Sequence, residues 1–181
     1  QTAEAYQKTF DMYQILTGIP NGVYTVHAKA FQRVGNNATA YPMHQNGTEK
    51  LTTYLYGNEI EKRVHSVYDF YMTTKSAETT NPDWTPEGET DVYYPNSMQA
   101  FKKACEENQY DNTVNVIVTD GTLRFGIRSK EVASAGWSIW DDFSVDFAGD
   151  DYTAVISDIM TEAKELANGV PMCADSLNAL N

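Results

Sequence analysis

Residues 112–129 read NTVNVIVTDGTLRFGIRS, and they decide the fold class. Val114, Val116 and Val118 recur at every second position beside Asn115. Asp120-Gly121 then supplies a two-residue turn, and Leu123, Phe125 and Ile127 resume the same period around Arg124, Gly126 and Arg128. Period two sends alternate side chains to opposite faces of a strand, so each half carries one apolar face, and an Asp-Gly pair tolerates the positive φ of the tightest turns. The stretch predicts a β-hairpin.

The same period extends outward in both directions. Upstream, Tyr24, Val26, Ala28 and Ala30 alternate with Thr25, His27 and Lys29, which predicts a half-buried strand over Val23–Phe31. Before it lies an apolar and aromatic run from Tyr6 to Leu16, broken by Gly18-Ile19-Pro20-Asn21-Gly22; a tight connection between two strands is expected there. Leu51–Tyr56 and Val64–Met72 carry further strand signals, and Ser138–Phe147 predicts a last strand with Ile139, Phe143, Val145 and Phe147 on one face. Trp140 would then share the other face with Asp142, Ser144 and Asp146, either partly exposed or covered by the C-terminal helix.

Two polar stretches, Gly35–Lys50 and Thr73–Pro95, read as long loops, which in compact domains more often bind than merely connect. Ser97–Glu107 reads as a short helix capped by Ser97, with Met98, Phe101, Ala104 and Cys105 at helical spacing. After Gly149 the period changes: Val155, Ile159, Ala163 and Leu166 form one stripe of an amphipathic helix, stopped by Gly169-Val170-Pro171. Such a stripe needs something to pack on. The expected architecture is all-β, an antiparallel sandwich or jelly roll of seven or eight strands over residues 1–150, with a short helix in a loop. Residues 151–181 are expected to open a helical linker or an appended helical segment.

Composition narrows the function. With 181 residues the chain can bury more than about 65 per cent of its unfolded surface. A net charge of −12 opposes association with phosphate backbones, so nucleic acid is not an expected partner. No apolar stretch approaches the roughly 18 residues of a membrane span, and the chain opens at Gln1 without a basic and then apolar leader; any targeting peptide is expected to have been removed. Cys105 and Cys173 fit no metal spacing and read as two lone thiols or one disulfide. The acids from Asp141 to Asp151 read as a solvated turn or, less simply, a cation site.

Catalytic patterns are missing from the sequence. His27, His44 and His65 lie far apart without a metal-binding motif, and no nucleophile elbow, P-loop or dinucleotide fingerprint occurs. A glycoside hydrolase pair is defined by spatial separation rather than sequence, although adjacent Asp141 and Asp142 on a strand would point to opposite faces.

Three segments, FDMYQILTGIPNGVYTVHAKAFQR at 10–33, YDNTVNVIVTDGTLRFGI at 110–127 and WSIWDDFSVDFAG at 137–149, resemble successive signatures of galactose-binding-domain-like β-sandwich modules. These modules, similar to carbohydrate-binding modules, occur in secreted and surface proteins of polysaccharide-degrading gut bacteria. The resemblance spans Phe10–Gly149 and implies a secreted or cell-surface, multidomain setting. It also implies binding of glycan without chemistry, at loops on one end of the sandwich or on a concave face. Some relatives hold a structural Ca2+ between a residue near the start and an acid near the terminal strand; the corresponding candidates are Glu4, Asp11, Asp141 and Asp142. Relatives commonly carry strands before the FDMYQ position.

The residues support that expectation independently. A pyranose presents an apolar C–H face and a rim of hydroxyls, so its site combines an aromatic ring with planar donors and acceptors. The chain holds 12 Tyr and 3 Trp, and Tyr41, Trp84, Tyr94 and Trp137 fall in segments where core packing does not demand them. Arg33, Asn37, Gln45 and Arg128 supply nearby donors. Trp84, between Pro82 and Pro86, is the ring most expected to stand free, whereas Tyr93 and Tyr94 read more readily as structural caps of the sandwich. Two alternatives remain: a structural or protein-interaction domain that docks neighbouring domains of the same chain, and an accessory or catalytic domain of a glycoside hydrolase.

Overall fold

The computed structural model of the chain describes residues 2–169. Nine strands and three helices follow in the order β1 (Ala3–Tyr6), β2 (Phe10–Thr17), β3 (Gly22–Arg33), α1 (Asn37–Gln45), β4 (Thr53–Gly57), β5 (Ile60–Arg63), β6 (His65–Ser66), α2 (Met98–Glu106), β7 (Asp111–Val118), β8 (Thr122–Ser129), β9 (Trp137–Gly149) and α3 (Thr153–Gly169) among the described residues. They form two sheets facing each other. The first runs β1-β9-β3-β6, with β7 also on β3, and the second runs β2-β8-β4-β5. Pairing is antiparallel throughout except for the two-residue contact of β3 with β6. This is the all-β sandwich that the alternation predicts.

The stretch 112–129 is not a hairpin. Its two strands go to different sheets: β7 pairs with β3, whereas β8 pairs with β2 and β4. Alternation explains why both arrangements satisfy the same pattern. In a hairpin the two apolar faces lie side by side; in an arch they face each other across the core, and either way one face of each strand is buried. Here Val114, Val116 and Val118 meet Leu123, Phe125 and Ile127 in one cluster between the sheets. The Gly18–Asn21 connection behaves in the same way, carrying the chain from β2 in the second sheet to β3 in the first.

Other expectations shift for local reasons. Gly35–Lys50 is not a plain loop, because Asn36 accepts the amide of Thr39 and caps α1, which carries Pro42 inside it and buries Ala40. Of Val64–Met72 only His65–Ser66 is strand, while the unforeseen β5 is an edge strand without apolar alternation, reached through a turn at Asn58 with φ 49°. The last strand is bulged. Lys29 pairs with Asp141 and His27 with Ser144, so two residues oppose Ala28, and Asp142 takes φ 54°. The bulge reverses the phase: Trp140 joins Phe143 and Val145 in the inner cluster, stacked 4.7 Å from Phe10, whereas Ile139 points to the other side.

That other side is a second core. Phe31, Trp137 and Ile139 from the outer face of the first sheet pack against Phe101 and Ala104 of α2 and against Tyr68, Met72, Tyr94 and Tyr110. The helix forms as its sequence predicts, with the Ser97 hydroxyl accepting the amide of Ala100 at 3.1 Å. One end of the first sheet is therefore covered by helix and loop. The expected C-terminal helix also forms, but its apolar stripe stays largely uncovered, with Ile159 60% and Leu166 69% exposed. Polar links to the sheets run through Asp158, which pairs with Lys62 at 2.7 Å and accepts from Asn115 at 2.8 Å. Val170, Pro171 and Cys173 lie outside the described residues, as does the remainder of the 151–181 segment beyond Gly169. Cys105 is a free thiol that burial pushes up to about 12, so it stays protonated near neutrality.

Candidate ligand-binding cleft

Three neighbouring strands set one row of side chains at the end of the first sheet. Register pairs Tyr6 of β1 with Trp137 of β9, and Trp137 with Arg33 of β3. Directly opposed residues share a face, so ring, indole and guanidinium stand side by side on the outer surface. The Arg33 guanidinium lies 5.1 Å from the centre of the Trp137 ring. Glu4, two residues before Tyr6 and therefore on the same face, accepts the indole N–H of Trp137 at 2.8 Å.

The opposite wall comes from Asn96 and the start of α2. Between the walls lies a cleft of about 570 Å³, with Tyr6, Arg33, Glu78, Asn81, Asn96 and Gln99 among its lining residues. Its aromatic platform is accessible, since Tyr6 is 53% exposed. Arg33 is held rather than mobile: Nη1 donates to Asn96 Oδ1 at 2.7 Å and to Asn37 Oδ1 at 3.0 Å. Burial lowers its pKa from the ordinary guanidinium value, and Nε is buried without a hydrogen-bond partner. Among the described residues no carboxylate pairs with Arg33, which leaves a desolvated cation supported by two neutral amides.

Behind this polar row stands a cluster of four rings. Tyr41, Tyr68, Trp84 and Tyr94 make all six possible pairwise contacts, with centroids 5.0 to 5.9 Å apart. Trp84 is half-buried within it, bridged by its backbone to Tyr94, and so does not stand free as its polar surroundings suggest. Tyr94 is buried, and desolvation pushes its hydroxyl, like that of Tyr68, well above the usual tyrosine range. The Tyr68 hydroxyl donates to Asn37 Oδ1 at 3.1 Å, which ties the ring cluster to Arg33.

Six of the eight ligand candidates thus gather at this end of the fold: Arg33, Asn37 and Trp137 in the polar row, and Tyr41, Trp84 and Tyr94 in the ring cluster. Two do not. Gln45 is exposed at the last position of α1, and Arg128 lies on the second sheet, bound to Glu61. Tyr6 and Asn96 carry no signal of their own in the sequence, because their place follows from the register of β1 on β9 and from the loop preceding Ser97, neither of which is periodic.

The four carboxylates suggested for calcium are dispersed. Glu4 is engaged by Trp137, and Asp11 sits on the second sheet, where it accepts from Tyr56 at 2.7 Å and pairs with Arg124 at 2.7 Å. Asp141 accepts from Thr2 and from the amide of Asp142. Among the described residues no three His, Cys, Asp or Glu side chains converge on a point that fits a metal ion.

No protein-family model, curated protein or solved structure matches the chain.

Proposed function

We propose that the protein is a non-catalytic carbohydrate-binding module and that the saccharide lies in the cleft between Tyr6 and Gln99. The observation that carries this reading is the cross-strand row Tyr6-Trp137-Arg33 beside a cleft of about 570 Å³. A sugar hydroxyl both donates and accepts, and the walls offer both roles: Arg33, Asn81 and Gln99 as donors, Glu78 as an acceptor. The exposed ring of Tyr6 supplies the flat apolar surface that a pyranose covers.

A glycan array probed with the isolated chain tests this. Retention on one class of polysaccharide is expected, reduced about tenfold or more by Tyr6→Ala with an unchanged melting temperature. A flat array, or retention indifferent to Tyr6→Ala, overturns the reading; release of reducing sugar from any bound glycan would make the protein an enzyme instead. A second reading, a protein-interaction domain, draws on the exposed apolar residues Ile156, Ile159, Met160 and Leu166 of α3 and gains weight if the array is flat.

A further inference from the structure

Three of the chain's four arginines share one surface, the outer face of the second sheet, in a protein whose net charge is −12. Register builds that face in rows. Asp11, Arg128, Tyr54 and Arg63 oppose one another across β2, β8, β4 and β5, and Tyr13, Gly126, Tyr56 and Glu61 form the next row. Arg124 lies 4.1 Å from the centre of the Tyr13 ring and Arg128 lies 4.3 Å from that of Tyr56.

Most of these charges are satisfied. Arg124 pairs with Asp11, and Glu61 takes both Arg128 at 2.5 Å and Lys130 at 2.8 Å. Arg63 differs: its Nε donates to the Tyr54 hydroxyl at 3.3 Å, and among the described residues no carboxylate pairs with it. Lys50 has no ion-pair partner there either. Both line a cavity of about 360 Å³ at this edge of the sheet, together with Tyr54, Lys130 and Glu131. Glu49 and Glu61 also line it, but Glu49 is occupied by His44 and Ser66, and Glu61 by Arg128 and Lys130. The cavity therefore sets Arg63 and Lys50 against the one unengaged carboxylate of Glu131, beside a tyrosine ring flanked by cations: Arg63 at 6.0 Å and Lys130 at 5.8 Å.

We propose that this cavity is a second binding site, one that takes an acidic saccharide through a uronate carboxylate. The planar fork of Arg63, steadied by the Tyr54 hydroxyl, matches a carboxylate, and Lys50 adds a second positive charge. A volume of about 360 Å³ is at the small end of ligand sites, so the cavity holds a terminal or single acidic unit rather than a long chain. The site lies on the opposite sheet from the Tyr6 cleft and stands whatever that cleft binds.

Isothermal titration with oligogalacturonate and oligoglucuronate trimers tests the proposal on the whole chain. At least one trimer binds; its methyl ester binds at least tenfold more weakly, as does the acid in 0.5 M NaCl. Arg63→Gln and Lys50→Gln, both at exposed positions, each weaken binding severalfold, whereas Tyr6→Ala leaves it unchanged. The proposal is overturned if neither trimer binds, if ester and acid bind alike, or if Tyr6→Ala abolishes binding that Arg63→Gln leaves intact. The last result alone assigns the ligand to the Tyr6 cleft; the first two leave the reading of that cleft as it was.

Discussion

Ile19 donates its backbone N–H to the carbonyl of Gly121 across 3.2 Å, so the two crossovers that carry the chain between the sheets are joined to each other. Gly121 returns the link by donating its own N–H to Asn21 Oδ1 at 2.9 Å. The arches lie side by side because the strands they connect do: β2 pairs with β8 in one sheet and β3 with β7 in the other. Local turn chemistry and sheet order therefore fix one another.

Gly121 sits at φ 71°, and an added Cβ would approach the Ile19 carbonyl oxygen to 3.2 Å. Gly121→Val is expected to cost about 2 kcal/mol from the positive φ alone. Thermal unfolding should show a fall in Tm of about 4–8 °C. A melting curve that does not move would mean that the crossovers do not need this conformation.

The ring cluster makes a prediction opposite to the one its loop composition invites. Trp84→Ala removes one of four mutually touching rings and should destabilise the fold by about 2–3 kcal/mol, given that Trp84 is half-buried. Denaturant titration would read this as a lower midpoint with an unchanged slope. No change in midpoint would make Trp84 an ornament of the surface.

How far the sequence carries depends on the kind of information each feature needs. The alternation of Val114, Val116 and Val118 with their neighbours states that a strand has one buried face, but not which sheet owns it, and the arch was hidden for that reason. Ser97 and its helix were readable because a cap and its helix are contiguous in the chain. The α1 helix was not, since Pro42 and the surrounding Asn residues outweigh a short segment that tertiary burial of Ala40 holds in place. Arg33, Asn37 and Trp137 were recognisable as residue types, whereas their alignment with Tyr6 depends on pairing across strands far apart in sequence. The bulge at Asp142 changed which side of β9 faces inward, and no single-residue signal announces it.

Gly126 lies between Tyr13 and Tyr56 in its cross-strand row, where an added Cβ would fall on the Met12 carbonyl oxygen and 2.8 Å from Tyr13 Cα. Gly126→Ala should separate β2 from β8 locally and cost about 3 kcal/mol. Hydrogen exchange would detect this as lost protection of β2 amides. Retained protection there would show that the strands absorb the methyl group.

His65 donates from Nδ1 to Asp69 Oδ2 over 2.9 Å, and it faces the Asp111 carbonyl at 2.9 Å, the Phe70 ring at 4.9 Å and, through Asp69, His44. The hydrogen bond to Asp69 raises its pKa above the ordinary value of 6.5. A raised folded-state pKa contributes stability in full below the unfolded value and loses it as pH climbs through the folded one. The Tm difference between the native chain and His65→Gln should therefore be largest near pH 5.5 and shrink towards pH 8.5. A difference that grows with pH would reverse the assignment.

The indole N–H signals of Trp84, Trp137 and Trp140 offer the most direct reading of the cleft. Trp137 Nε1 is bonded to Glu4 beside the cleft, whereas Trp140 Nε1 is buried in the sandwich without a partner. Titrating the nitrogen-15-labelled chain with the saccharide it retains most strongly should shift the Trp137 indole resonance progressively and leave that of Trp140 in place. A Trp137 resonance that stays fixed while the saccharide saturates the protein would contradict the placement of the ligand between Tyr6, Trp137 and Arg33.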